Sequence, residues 1–137
     1  ALGLSLLPGT EEEIARRRQL CAVYDAALAG FDLARPVRPE GLEHNHAYYP
    51  VLLPGEATLL RVQRVLDEQG VHLRRYFYPA LNTLPYLKAE WRSSCPVAED
   101  AARRALCLPL YGSFPPEAAA TVAALLTQAC SGGGEYA

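Results

Sequence analysis

The 137 residues contain no methionine, and lysine occurs once, at Lys88, against twelve arginines. The missing methionine leads us to expect a chain that is not a complete translation product, with residues removed or with a start inside something larger. The single lysine means that chemistry needing an ε-amine would rest on Lys88 alone. Charge of one sign is also scarce. A formal net charge of −2 offers no global electrostatic argument for nucleic acid or for an anionic membrane. No apolar run approaches the ~20 residues of a membrane-spanning helix. The apolar opening Ala1–Leu7 lacks the charged start and the length of a signal peptide. Cys21, Cys95, Cys107 and Cys130 are scattered, without a C-x-x-C pair or a histidine at metal spacing. Free thiols in a cytoplasmic protein are expected.

What is present is apolar residue, 50% of the chain, enough for one packed domain and too little length for two. Pro8-Gly9 breaks the first apolar segment, and Thr10 to Glu13 has the spacing of a capping box. A helix is predicted over 10–29, with Ile14, Cys21, Tyr24 and Leu28 on its buried face and Gly30 as its stop. Residues 31–44 carry Pro36, Pro39 and Gly41 and read as loop. A strand is expected over 47–53 and a helix over 56–69, with Leu59, Val62 and Leu66 inward.

Val71 to Tyr78 alternates and reads as a second strand. Val71, Leu73, Arg75 and Phe77 face one way, and His72, Arg74, Tyr76 and Tyr78 the other. Residues 80–94 are irregular. A helix over 96–105, a short strand over 106–110 whose Pro109 argues for a sheet edge or a strand end, and a helix from Phe114 to about Ala129 with Ala118, Val122 and Leu125 inward complete the domain. Ser131 onward reads as a flexible tail. The fold class is α+β: a two-layer small domain with a short, mainly antiparallel sheet covered by helices on one face.

Four stretches, in order, resemble the C-terminal third of the DegT/StrS family of PLP-dependent sugar aminotransferases. They are Ala1-Leu2-Gly3-Leu4 with Arg16-Arg17-Arg18 and Tyr24; Asn45-His46-Ala47-Tyr48-Tyr49-Pro50-Val51; Gly70-Val71-His72-Leu73-Arg74-Arg75-Tyr76-Phe77-Tyr78-Pro79; and Pro96-Val97-Ala98-Glu99 followed by Leu106-Cys107-Leu108-Pro109-Leu110-Tyr111. The resemblance implies that residues 1–130 are the small domain of a dimeric fold-type I enzyme and that 131–137 are a tail. In that family the Schiff-base lysine, the acidic partner of the pyridinium nitrogen and the phosphate cradle lie upstream of the region that matches. Pro85-Tyr86-Leu87-Lys88 does not resemble the family's lysine motif. The chain alone is therefore expected to hold no PLP and to catalyse nothing by itself.

By the same resemblance Arg75, Tyr76 and Tyr78, then His46 and Tyr48, are the expected contacts of a nucleotide-sugar. Hydroxylated aromatics stack on a ring and donate to its oxygens, and arginine pairs with diphosphate as a fork. Many family members carry histidine where this chain has Asn82, which weakens the transfer of a polar contact to that position. An alternative is a free-standing binding or assembly module whose apolar segment Ala1–Leu7 is buried in a homodimer. RNA binding, suggested by Arg74-Arg75-Tyr76-Phe77-Tyr78, lacks a second matching aromatic strand and a basic surface. His44 and His46 would share one face of a strand, but no third metal ligand is evident.

Overall fold

A computed structural model describes residues 2–132. Helix α1 (Leu2–Leu6) leads through a 3-10 turn (Leu7–Gly9) into α2 (Thr10–Ala27). Strand β1 (Tyr49–Leu52), helix α3 (Glu56–Glu68), helix α4 (Pro96–Arg104), strand β2 (Ala105–Leu108) and helix α5 (Pro116–Ser131) follow. The sheet is one antiparallel pair in which Tyr49 faces Leu108 and Leu52 faces Ala105. Single bridges extend it on both sides, from Ala34 to Leu52 and from Arg74 to Cys107. The α+β small domain expected from the pattern is the domain observed.

α2 and α3 both pack on α5. Leu59, Val62 and Leu66 of α3 are fully buried or nearly so, as are Cys21, Tyr24 and Leu28 along α2. Apolar residues recurring every three to four positions bring one stripe of each helix to the core. Tyr24 is held further by its hydroxyl, which donates to the carbonyl of Pro109 at 2.9 Å. In α5 the inward face is Ala119, Val122, Ala123, Leu126 and Ala129; of the three residues expected there Val122 is buried, and Ala118 and Leu125 are half-buried, Leu125 against the core.

Two local expectations fail for identifiable reasons. Thr10 does not cap α2. The 3-10 turn runs straight into the helix, Thr10 is itself helical, and its N–H donates to the carbonyl of Leu7. Glu13, freed from a capping role, accepts from the backbone N–H of Gly112 at 2.9 Å and from Arg17 at 2.7 Å. The second failure is the strand over 71–78. This stretch meets β2 at one rung only, where Cys107 N–H donates to the Arg74 carbonyl at 2.9 Å, and then turns at Tyr76–Phe77. The alternation of burial holds through Leu73 and Arg75 but breaks at Phe77, which is exposed. β2 ends at Leu108, and Pro109 has no N–H to continue the ladder. The Tyr76–Phe77 and Tyr78–Pro79 peptide bonds are cis.

The expected tail starts at Ser131, but Ser131 still belongs to α5; residues from 133 onward lie outside the described residues, as does Ala1. No helix among the described residues is long and apolar enough to cross a membrane.

Candidate functional site

Tyr48 precedes β1 and Tyr49 opens it, so the pleat sends their side chains to opposite sides. Tyr49 goes inward. Its hydroxyl donates to Asp25 Oδ1 at 2.7 Å and accepts from Arg35 at 2.9 Å. Burial, with the neighbouring Asp25, pushes its phenol up to about 12. Tyr48 goes outward and is about half exposed. Its ring meets that of Tyr76 edge-on, with centroids 5.3 Å apart. Arg74 donates to the Tyr76 hydroxyl at 3.1 Å.

Tyr48, His72, Arg74, Tyr76 and Tyr111 share the lining of one cleft of about 350 Å3, floored by Cys107 and Leu108 of β2. Three chain segments build it: the entry to β1, the single-rung stretch beside β2, and the exit from β2. Together they offer aromatic faces, phenol hydroxyls and one guanidinium on an open surface. Such a set stacks on a planar or pyranose ring and pairs with an oxyanion.

Of the five residues predicted from the sequence, Tyr48 and Tyr76 are brought together here. The other three are not. His46 is buried (4% exposed), with Nδ1 3.3 Å from Cys21 Sγ and its backbone N–H donating to His44 Nδ1 at 2.9 Å. It lies in loop rather than strand, at φ 49°, a left-handed conformation uncommon outside glycine. Burial, and then His44, hold its imidazole below the ordinary histidine value. Arg75 points to the opposite side from Arg74. Its Nη2 donates to Glu56 at 2.8 Å and to the Arg103 carbonyl at 3.1 Å. Its guanidinium lies 3.5 Å over the ring of Tyr78. Its Nε is buried without an acceptor among the described residues. The charge of Arg75 is thus taken up inside the domain, and Tyr78 serves as its lid.

Arg74, His72 and Tyr111 were missed by the sequence reading, yet a signal existed for two of them. The period-2 pattern set His72, Arg74, Tyr76 and Tyr78 on one side and Arg75 on the other; the structure keeps that division through Tyr76, while Tyr78 lies against Arg75 instead. Asn82 donates to the Ser93 carbonyl at 2.8 Å and to Glu99 at 2.6 Å, so its amide protons are both used in holding the 80–95 segment. Lys88 stands on an exposed turn, 3.9 Å from Glu90 and 5.0 Å from the Trp91 ring centre, and lines neither cleft beside Tyr48. Among the described residues no three histidine, cysteine or acidic side chains converge as a metal site would require. The four cysteines are free. Burial pushes the thiols of Cys21, Cys107 and Cys130 up and keeps them neutral.

A sequence model described as the DegT/DnrJ/EryC1/StrS aminotransferase family matches residues 1–127. The chain is 37% identical over 125 residues to a dTDP-4-dehydro-2,3,6-trideoxy-D-glucose 4-aminotransferase of Saccharopolyspora spinosa, covering 90% of this chain and 31% of that protein. It is 27% identical over 133 residues to a dTDP-4-amino-4,6-dideoxy-D-glucose transaminase of Escherichia coli, covering 92% of this chain and 36% of the relative. The crystal structure of DesI with its TDP-sugar product superimposes with a TM-score of 0.85 at 30% identity, over 96% of this chain and 34% of that one. The aminotransferase TlmJ of Streptoalloteichus hindustanus gives 0.81 at 26% identity, over 94% and 35%. The chain spans about a third of the length of the relatives it matches.

Proposed function

Because the chain belongs to the DegT/DnrJ/EryC1/StrS aminotransferase family, we propose that it forms the substrate-side part of a nucleotide-sugar aminotransferase. The observation that carries this reading is the convergence of Tyr48, Arg74, Tyr76 and Tyr111 on one cleft. In it Tyr48 and Tyr76 offer ring faces to a sugar or base, and Arg74 offers a fork to a phosphoryl oxygen. The family is PLP-dependent in general, and PLP when bound supplies the electron sink of amino transfer. The residues of this chain do not fit that cofactor. Its single lysine is two-thirds exposed and paired with Glu90, away from the cleft. The role of this chain is to bind and orient the sugar nucleotide and to exclude water from one side of it.

The 137-residue chain titrated with a dTDP-linked 4-keto-6-deoxyhexose, followed by 1H–15N NMR, tests the reading. Saturable shifts at Tyr48, Arg74 and Tyr76, abolished in Tyr48→Ala and Tyr76→Ala, are expected. Binding that is absent, or confined to Arg75 and Tyr78, would remove it.

A second reading, assembly through the N-terminal leucines, has its own observation. Leu2, Leu4, Leu6 and Leu7 are each between 64% and 77% exposed, and α1 buries no residue of its own. Exposed apolar clusters of this kind mark contact surfaces, so a homodimer that buries it is proposed. Sedimentation of the chain and of Leu4→Lys decides: a dimer that the substitution dissociates is expected, and a monomer at all concentrations rejects it. Free buried thiols and the absence of a membrane-crossing helix among the described residues support a cytoplasmic location.

A further inference from the structure

On the other side of Tyr48 lies a larger cleft, about 560 Å3, between the loop that leaves α2 and the start of β1. Its volume is within the range of small-molecule sites. We propose that this cleft is a second binding site, for the phosphate group of a small phosphate ester or diphosphate. The charged and donor groups that carry the proposal, Arg38, His44 and Asn45, line this cleft alone, and only Ala47 and Tyr48 are shared with the sugar cleft.

The polar side chains of the cleft are Asp25, Arg35, Arg38, His44, Asn45 and Tyr48, and local hydrogen bonds set the sign of what they present. His44 Nδ1 accepts from the backbone N–H of His46 at 2.9 Å. A neutral His44 must then carry its proton on Nε2, the nitrogen left for a ligand, so it offers a donor. Asn45 Oδ1 accepts from the N–H of Ala47 at 3.1 Å, which leaves the NH2 end of that amide as its free group. The one carboxylate, Asp25, accepts from Arg35 at 2.8 Å and from the Tyr49 hydroxyl at 2.7 Å, so its charge is met within the wall. Arg38 is exposed and makes no ion pair among the described residues.

Arg35 and Asp25 meet each other's charge, so among the described residues the cleft is left with the guanidinium of Arg38 as its unpaired charge, and the acceptors of His44 and Asn45 are spent on the backbone. A lining that is nearly all donors and carries net positive charge selects an oxyanion, and the arginine fork suits phosphate geometry. Val37 and Leu42 are exposed beside it and give the organic part of an ester an apolar rim.

The test uses the whole chain and inorganic pyrophosphate, with phosphate as a second probe, at fixed ionic strength. Saturable NMR shifts of the His46 and Ala47 amides are expected, since these N–H groups report directly on His44 and Asn45. Arg38→Gln should weaken binding about tenfold, the loss of one charge-assisted contact. Arg64→Gln removes the same charge from the exposed face of α3 and should leave the affinity unchanged. Shifts that do not saturate, or an equal loss in both arginine variants, would show only diffuse attraction to positive charge and overturn the site. Shifts of Tyr76 with His46 and Ala47 unmoved would place the anion in the other cleft, and overturn it equally.

Discussion

The three-helix layer and the stretch from Val71 to Cys95 use apolar residues in opposite ways. In the layer, Leu28, Leu59, Leu66 and Leu126 are fully buried. In the stretch, Phe77, Leu81, Tyr86 and Trp91 are all more than 60% exposed, and order comes instead from polar ties such as Asn82 to Glu99 and Arg92 to the carbonyls of Leu87 and Pro85. Helices formed by one apolar stripe cover one another. A loop with aromatics on its outside can be covered only by something else. The difference shows which surface is core and which is offered, and the offered one adjoins the Tyr76 cleft.

The contrast breaks most visibly under truncation. Leu66→Ala should cost about 2–5 kcal/mol in urea denaturation, because a fully buried leucine leaves a cavity between α3 and α5. Phe77→Ala should cost under about 0.5 kcal/mol in the same measurement, being largely solvated already. Equal costs would mean that the 71–95 stretch is packed in solution as tightly as the layer. A smaller change, Tyr24→Phe, keeps the ring and removes the bond that ties α2 to the exit of β2, leaving the Pro109 carbonyl without its donor. A loss of about 1 kcal/mol is expected, since the half-buried Pro109 carbonyl loses its protein donor.

The pH dependence sharpens the contrast at His46. Burial, and then His44, depress its folded pKa, so the unfolded chain binds the proton more readily. Its contribution to stability is complete above the unfolded value near ~6.5 and declines as the pH falls below it toward the folded pKa. The urea midpoint of the chain should therefore fall from pH ~7.5 to ~5, and His46→Gln should flatten that slope. An unchanged slope would assign it to another group. A further mild test is Gly112→Ala. A Cβ there would lie 1.8 Å from Glu13 Oε2 and displace that carboxylate from the Gly112 N–H. A loss of about 1 kcal/mol or less is expected at neutral pH. The N–H of Gly112, and then Arg17, hold the Glu13 pKa down. The stability it adds is present above the unfolded carboxylate value and is lost as pH falls through the folded one. The gap between wild type and Gly112→Ala should therefore close in acid, which a Tm series over pH would show.

Much of the fold was legible because amphipathic helices carry their own evidence. The stripe Leu59, Val62, Leu66 needs no partner to be recognised, and the 96–104 helix announces itself with proline in its first turn. The stretch over 71–78 was misread because alternation describes side-chain direction and not pairing. It holds wherever the backbone is extended, and here β2 accepts only one rung before the chain turns at Tyr76. The site was half legible for the same reason. Alternation placed His72, Arg74 and Tyr76 together, but the resemblance favoured Arg75, whose charge turns out to be spent on Glu56.

The sequence by itself determined the longer helices, the inward faces of α2 and α3, the α+β class and the family, because each is written in local spacing and in short motifs that survive without contacts. Only the tertiary structure decided which of two adjacent arginines is free, why His46 is core rather than surface, and that Tyr48 stands between two clefts. These depend on residues far apart in the chain, as Arg75 meets Glu56 and His46 meets Cys21, and no local pattern encodes which distant partner satisfies a charge or buries a ring.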